Sequence, residues 1–249
     1  MFRKAPLLLF FVFLYSVTRA QTTTTQETWL DYLNQNRYSD KWGSWLDLQL
    51  KLNDGYIHAK NAGEYTAGAS YFTEKNFKYT AAFTLVDAYA NASHLNHTKE
   101  LRPWAMIQLN TSNSYSRWIQ WLRVEERFKE TIVNKLASGS FDESTRVRYY
   151  LLAQFPLSKR KYQKGSVSFV TSEELYLNFG KNIVYNTFDQ NRFFLGFYYF
   201  LNKDNILQLG YTKMYQKLNA PDKYVNSDVL RVSVFNTIDF HKKPQHITE

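Results

Sequence analysis

The sequence predicts an all-β protein, and within that class a transmembrane, antiparallel, up-and-down β-barrel of about 10–12 strands with long outer loops and short periplasmic turns. Three observations predict it. Apolar and polar residues alternate with period two through most of residues 40–240, which places them on opposite faces of strands. The links between candidate strands are mostly long and short by turns, as in outer-membrane barrels. Aromatic residues make up 18% of the chain, with 6 Trp, 19 Tyr and 19 Phe, yet mean hydropathy is −0.48. An aromatic-girdled wall around a polar interior accounts for both.

Residues 1–20 read as a secretory signal peptide. Arg3 and Lys4 precede a mostly apolar run, Ala5 to Val17, and Ala20 offers a small residue for cleavage. That run is too short to cross a bilayer. Residues 21–240 are expected to form a single barrel domain, and 241–249 a C-terminal tail. Candidate strands occupy 40–53, 65–73, 77–90, 103–112, 116–130, 143–157, 165–180, 187–201, 204–217 and 226–240. In the first, Leu46, Leu48, Leu50 and Leu52 oppose Asp47, Gln49 and Lys51. Several candidates reach 14 residues or more, longer than strands of a soluble sandwich. The ten close with long links at 54–64, 91–102, 131–142, 181–186 and 218–225. Segment Trp29 to Gln35 is then left over. It pairs ahead of them, lies inside the barrel, or signals a count of twelve, since an even number is expected.

The chain has no Cys, which excludes disulfides, thiolate metal sites and a thiol nucleophile. Losing residues 1–20 removes Arg3, Lys4 and Arg19, leaving 28 of the 31 basic residues against all 22 acidic ones. The longest basic block is Lys159-Arg160-Lys161, so no nucleic-acid partner is expected. The expected location is the bacterial outer membrane, with its lipid and its insertion machinery as partners.

With apolar side chains facing lipid, polar faces line the interior. Arg123, Glu125 and Arg127 share one face, and Arg146 and Arg148 share another. Pairing across the link near residue 137 sets Arg127 near Arg146 and Glu125 near Arg148, with a possible slip of two. Glu174 faces Arg192, and Arg231 joins them from the last strand. This lumen charge network has two readings. It pins strand register in a filled interior, or it lines a narrow pore that favours small anionic solutes. Glu126 is a misfit on the lipid face, placed near the interface or against a partner subunit.

No catalytic residue, metal site or cofactor is expected, and a non-enzymatic barrel is favoured over a lipid-modifying hydrolase or an assembly partner. His58, His94 and His97 fall in predicted loops, and His241 and His246 in the tail. His94 and His97, with Asp87 and Glu100 nearby, are the one conceivable metal group. No Gly-rich phosphate loop or nucleophile elbow occurs.

The segments DKWGSWLDLQLK (Asp40–Lys51), RWIQWLRVEERF (Arg117–Phe128), RVRYYLLAQFPL (Arg146–Leu157), EELYLNFG (Glu173–Gly180) and FDQNRFFLGFYYF (Phe188–Phe200), in this order, resemble the domain of unknown function 2490 family of the Bacteroidota. The resemblance covers the chain from Trp29 to its last strand. It implies an outer-membrane β-barrel of unassigned function and carries over no catalytic residues. One departure is the extension past Phe240, where such chains tend to end.

Overall fold

The computed structural model describes residues 21–74, 76–89, 97–134 and 136–241. The expected signal peptide, His94, His246 and nearly all of the tail lie outside them. The described residues form one closed barrel of eleven strands. They are β1 (Gln21–Arg37), β2 (Trp42–Asn53), β3 (Ala59–Phe72), β4 (Phe77–Tyr89), β5 (His97–Ser112), β6 (Arg117–Val133), β7 (Leu136–Pro156), β8 (Val167–Phe179), β9 (Phe188–Phe200), β10 (Asn205–Lys217) and β11 (Lys223–Asp239).

Neighbours in sequence pair antiparallel all the way from β1 to β11. The wall then closes by a parallel seam of β1 on β11, Gln21 opposite Lys223 through Arg37 opposite Asp239. This corrects two expectations. The strand count is odd, and one pairing is parallel. Segment Trp29–Gln35 is not inside the barrel; it belongs to β1, a full wall strand seeded by the β-branched run Thr22–Thr25. With an odd count, β1 and β11 run the same way. Gln21 therefore sits at one end, here called upper, and Asp239 at the other, lower, end.

The strands are strongly staggered. Starting at Arg37, the hydrogen-bonded partners pass Gly43, Thr80, Arg123, Tyr176 and Gln216 and return to Thr23, fourteen residues up β1. Such a stagger tilts the strands and widens the interior. The lower links are 38–41, 73–76, 113–116, 157–166 and 201–204, and the upper ones 54–58, 90–96, 134–135, 180–187 and 218–222. The expected long link at 131–142 is instead strand. β6 and β7 run on past the other strands, and only residues 134–135 join them.

The barrel is apolar outside and polar inside. On β9, Phe193, Leu195, Phe197 and Tyr199 point outward and are 41% to 51% exposed. Leu46 and Leu48 on β2, Leu122 and Val124 on β6, and Leu230 on β11 are exposed in the same way. Their neighbours one residue along turn inward and are less exposed, Glu125, Phe194 and Val229 among them being buried. Apolar filling of the interior is confined to clusters, the largest being Leu152, Val170, Phe194, Tyr198 and Phe200. Tyr162, from the lower link 157–166, packs on it through Phe200 at 5.9 Å. The Arg117 guanidinium lies 3.3 Å from the Tyr162 ring centre.

Candidate functional site: a charged, aromatic-lined lumen

Alternation on β6 and β7 turns Arg123, Glu125, Arg127, Arg146 and Arg148 inward, and all five line a lumen cavity of about 940 Å³. The register sets Glu125 opposite Arg146, Arg123 opposite Arg148 and Arg127 opposite Ser144. The expected pairing is thus slipped by two residues. Side chains keep their face under such a slip, which is why facing was legible and offset was not.

Glu125, 1% exposed, is a hub for three arginines. It accepts from Arg146, from Arg148 Nη1 at 3.4 Å, and lies 3.8 Å from Arg123 Nη1. Arg146 reaches on to Asp189 at 3.3 Å. Arg148 also donates from Nε to Glu174 at 2.8 Å and from Nη2 to the Tyr176 hydroxyl at 2.9 Å. Glu174 stands opposite Arg192 in the β8–β9 register, but its ion-pair partner is Arg148. Arg192 donates instead to Gln190 Oε1, at 2.7 and 3.0 Å.

Two further groups complete the lining. Glu100 accepts two bonds from Arg102, at 2.7 and 3.0 Å, and one from Arg127 at 2.5 Å. Arg102 extends to Glu64 at 3.4 Å, and Glu64 pairs with Lys51. At the seam, Asp31 accepts from Arg231 Nε at 3.0 Å, from Ser233 Oγ at 2.7 Å, and from Gln49. One carboxylate thereby links β11, β1 and β2. Paired in this way, the charges keep hydrogen-bonded partners that a buried ion needs. Each ion pair of the lumen wall joins groups on one strand, on adjacent strands or on strands two apart. The network follows the wall and leaves the centre open.

The acids Asp31, Glu64, Glu100 and Asp189 were absent from the expected set. The candidate strands began at 65 and 103, one residue too late to include Glu64 and Arg102 and three too late for Glu100. Four tryptophans were also absent from the expected lining. Trp29, Trp45, Trp104 and Trp121 turn inward and line the lumen. Arg123 lies 4.2 Å from the Trp104 ring centre and 4.9 Å from that of Trp121. Arg192 lies between Trp29, at 4.7 Å, and Tyr176, at 4.5 Å. These rings add cation–π attraction to the pull of the nearby carboxylates.

The histidines are placed differently from expectation in one case. His97 is not in a loop but opens β5, opposite Tyr89. Its Nδ1 lies 2.9 Å from Asp87 Oδ1, the Tyr89 hydroxyl donates to Asp87 Oδ2 at 2.8 Å, and Lys60 donates to that hydroxyl at 2.9 Å. Alternation puts this cluster on the outer face at the upper rim, whereas Glu100 points into the lumen. The two cannot share a metal, and no group of three or more metal-ligating side chains occurs among the described residues. His58 lies within 2.6 Å of the Asp54 carbonyl, and His241 pairs with Asp40 at 3.0 Å. The misfit Glu126 accepts from the Thr145 hydroxyl across β6–β7, at 2.9 and 3.0 Å.

No curated protein and no solved structure matches the chain. Residues 26–225 match the family model described as "Protein of unknown function (DUF2490)". That stretch begins within β1 and ends three residues into β11, so it takes in most of β1 and of the charged lumen but stops short of Arg231. The match covers well over half of the chain, and the chain belongs to the DUF2490 family.

Proposed function

We propose that this barrel sits in the bacterial outer membrane, exported by its signal peptide, and that its lumen is a narrow passage for small solutes. The observation that carries the reading is the inverted wall: exposed Phe, Leu and Tyr outside, buried Arg and Glu within. Water around such a wall leaves apolar surface exposed, and lipid covers it. The wall-following ion pairs and the cavity of about 940 Å³ favour a passage over a filled interior. Ten basic and six acidic side chains line that cavity, with Asp31 and Asp189 behind them. A modest preference for anions follows.

Membrane fractionation with heat-modifiable gel mobility tests the location, and a wholly soluble mature protein overturns it. Planar-bilayer recording with a salt gradient tests the passage. Steady openings with a weakly anion-selective reversal potential support it. Silence favours a structural barrel. The His97–Asp87 pair keeps the hydrolase alternative specific, since an outward imidazole can activate water. Lipid hydrolysis lost in His97→Gln would establish that reading instead.

A further inference from the structure

The lumen holds a small set of polar groups that the ion-pair network leaves out. Asp47 on β2 lines the cavity but makes no hydrogen bond or ion pair among the described residues. Two residues along the same face, Trp45 buries an Nε1 with no acceptor. Across the lumen on β6, Arg123 buries an Nε with no acceptor, and its one carboxylate neighbour is 3.8 Å away. Trp104 connects the two sides. Its ring meets Trp45 edge-on at 6.1 Å and carries the Arg123 guanidinium at 4.2 Å.

Asp31 and Glu64 add negative potential at Asp47, against Arg123 and Arg231, and neither arginine is paired with it. Arg148 adds positive potential at Arg123, against Glu125 and Glu174. A wall built only to neutralise itself would pair Asp47 with one of the nearby arginines. Here Asp47 lines the cavity without a partner, and residues Trp45 and Arg123 of the same lining each bury an N–H that has none. Buried polar groups without partners are costly, and a ligand carrying the matching groups recovers that cost.

We infer that the middle of the lumen binds a small zwitterion of the amino-acid or short-peptide class, its ammonium toward Asp47 and its carboxylate toward Arg123 and the Trp45 N–H. The ammonium meets both a carboxylate and aromatic faces, the usual setting for a bound cation. The carboxylate meets a guanidinium, its preferred partner. This names the solute class of the proposed passage and rests on that reading for its biological meaning.

The test uses the full mature chain refolded in detergent micelles and titrated with diglycine, read by tryptophan fluorescence. Trp45, Trp104 and Trp121 line the site, so occupancy changes their emission. N-acetylglycine offers only the carboxylate and glycinamide only the amine. Diglycine is expected to give a saturable change, with each analogue at least about tenfold weaker, the loss of one charge-assisted contact. The near-isosteric Asp47→Asn is expected to make diglycine and N-acetylglycine equal while heat-modifiable mobility is unchanged. Arg123→Gln is expected to make diglycine and glycinamide equal. No saturable change in the parent protein overturns the site, as does a diglycine preference that survives Asp47→Asn. Binding without conductance overturns the passage but not the site, and conductance without binding overturns the site but not the passage.

Discussion

Gly196 on β9 and Gly210 on β10 stand directly opposite each other, and the Phe194 ring lies across both. A Cβ at either position would fall 2.5 Å from a Phe194 ring carbon and 2.4 Å from a backbone carbonyl of the partner strand. The missing side chains let an aromatic ring lie flat on the inner wall and seed the apolar cluster with Val170 and Tyr198. Gly196→Ala or Gly210→Ala is expected to lower stability by about 1–3 kcal/mol, the range for overpacking. Urea unfolding of the refolded barrel, followed by gel mobility, measures it. A variant as stable as the parent would mean that the ring moves at no cost.

Glu125→Ala removes the shared partner of Arg146, Arg148 and Arg123. Asp189 and Glu174 still hold two of these, so the expected loss is about 1–3 kcal/mol rather than the larger figure for a lone buried pair. Arg146→Ala added to Glu125→Ala should cost less than the two single changes combined, because the pair interacts directly. Strict additivity in that double-mutant cycle would refute the contact.

The outward face distinguishes lipid from water. Leu195→Arg is expected to impair folding into lipid vesicles by about 2–4 kcal/mol, the cost of a cation near mid-bilayer on a barrel wall. A wall facing water would accept the same change with little effect. Equal folding of variant and parent in vesicles would therefore count against the membrane reading.

Asp31 ties β11 and β2 to β1. Asp31→Asn is expected to speed amide exchange along β1 and β11 while leaving β6 to β8 at parental rates. Hydrogen-exchange mass spectrometry resolves the two regions. Uniform acceleration would show instead that the seam opens only with the whole barrel.

Tyr162 lies over the lower lumen, held by Phe200 and Arg117, and Lys161 ties its link to the Ser114 carbonyl at 2.5 Å. If solutes pass, Tyr162→Ala should raise single-channel conductance without changing selectivity, which the charged middle sets. Unchanged conductance would place the narrowest point elsewhere.

Strand identity and facing were legible because both rest on period-two alternation, which Leu46 to Lys51 and Arg146 to Gln154 display residue by residue. Register was not, since alternation repeats every two residues and admits Arg146 or Arg148 opposite Glu125 equally. Half of the ionic lining was missed for a local reason. Glu64, Glu100 and Arg102 lie where small or loop-like residues blur the strand starts, although Glu100, Arg102 and Trp104 alternate correctly. The inward tryptophans share parity with the charged residues, so the same alternation carries their facing. The parallel seam had no signature in sequence, because direction depends on where β1 joins the wall and not on its composition.

The seam also sets apart one strand from the other ten. β2 and β11 run in opposite directions, so the set β2 to β11 has an even count and edges whose polarity suits direct antiparallel pairing. β1 is inserted between those edges, and its partners on β11 lie 202 residues away along the chain. Joining positions that distant costs roughly 5 kcal/mol of chain entropy before the seam's own bonds form. The same polypeptide thus has two directionally permitted perimeters, ten strands wide without β1 and eleven with it. With β1 in the wall the tube is one strand wider, and Trp29 joins the lining of its bore.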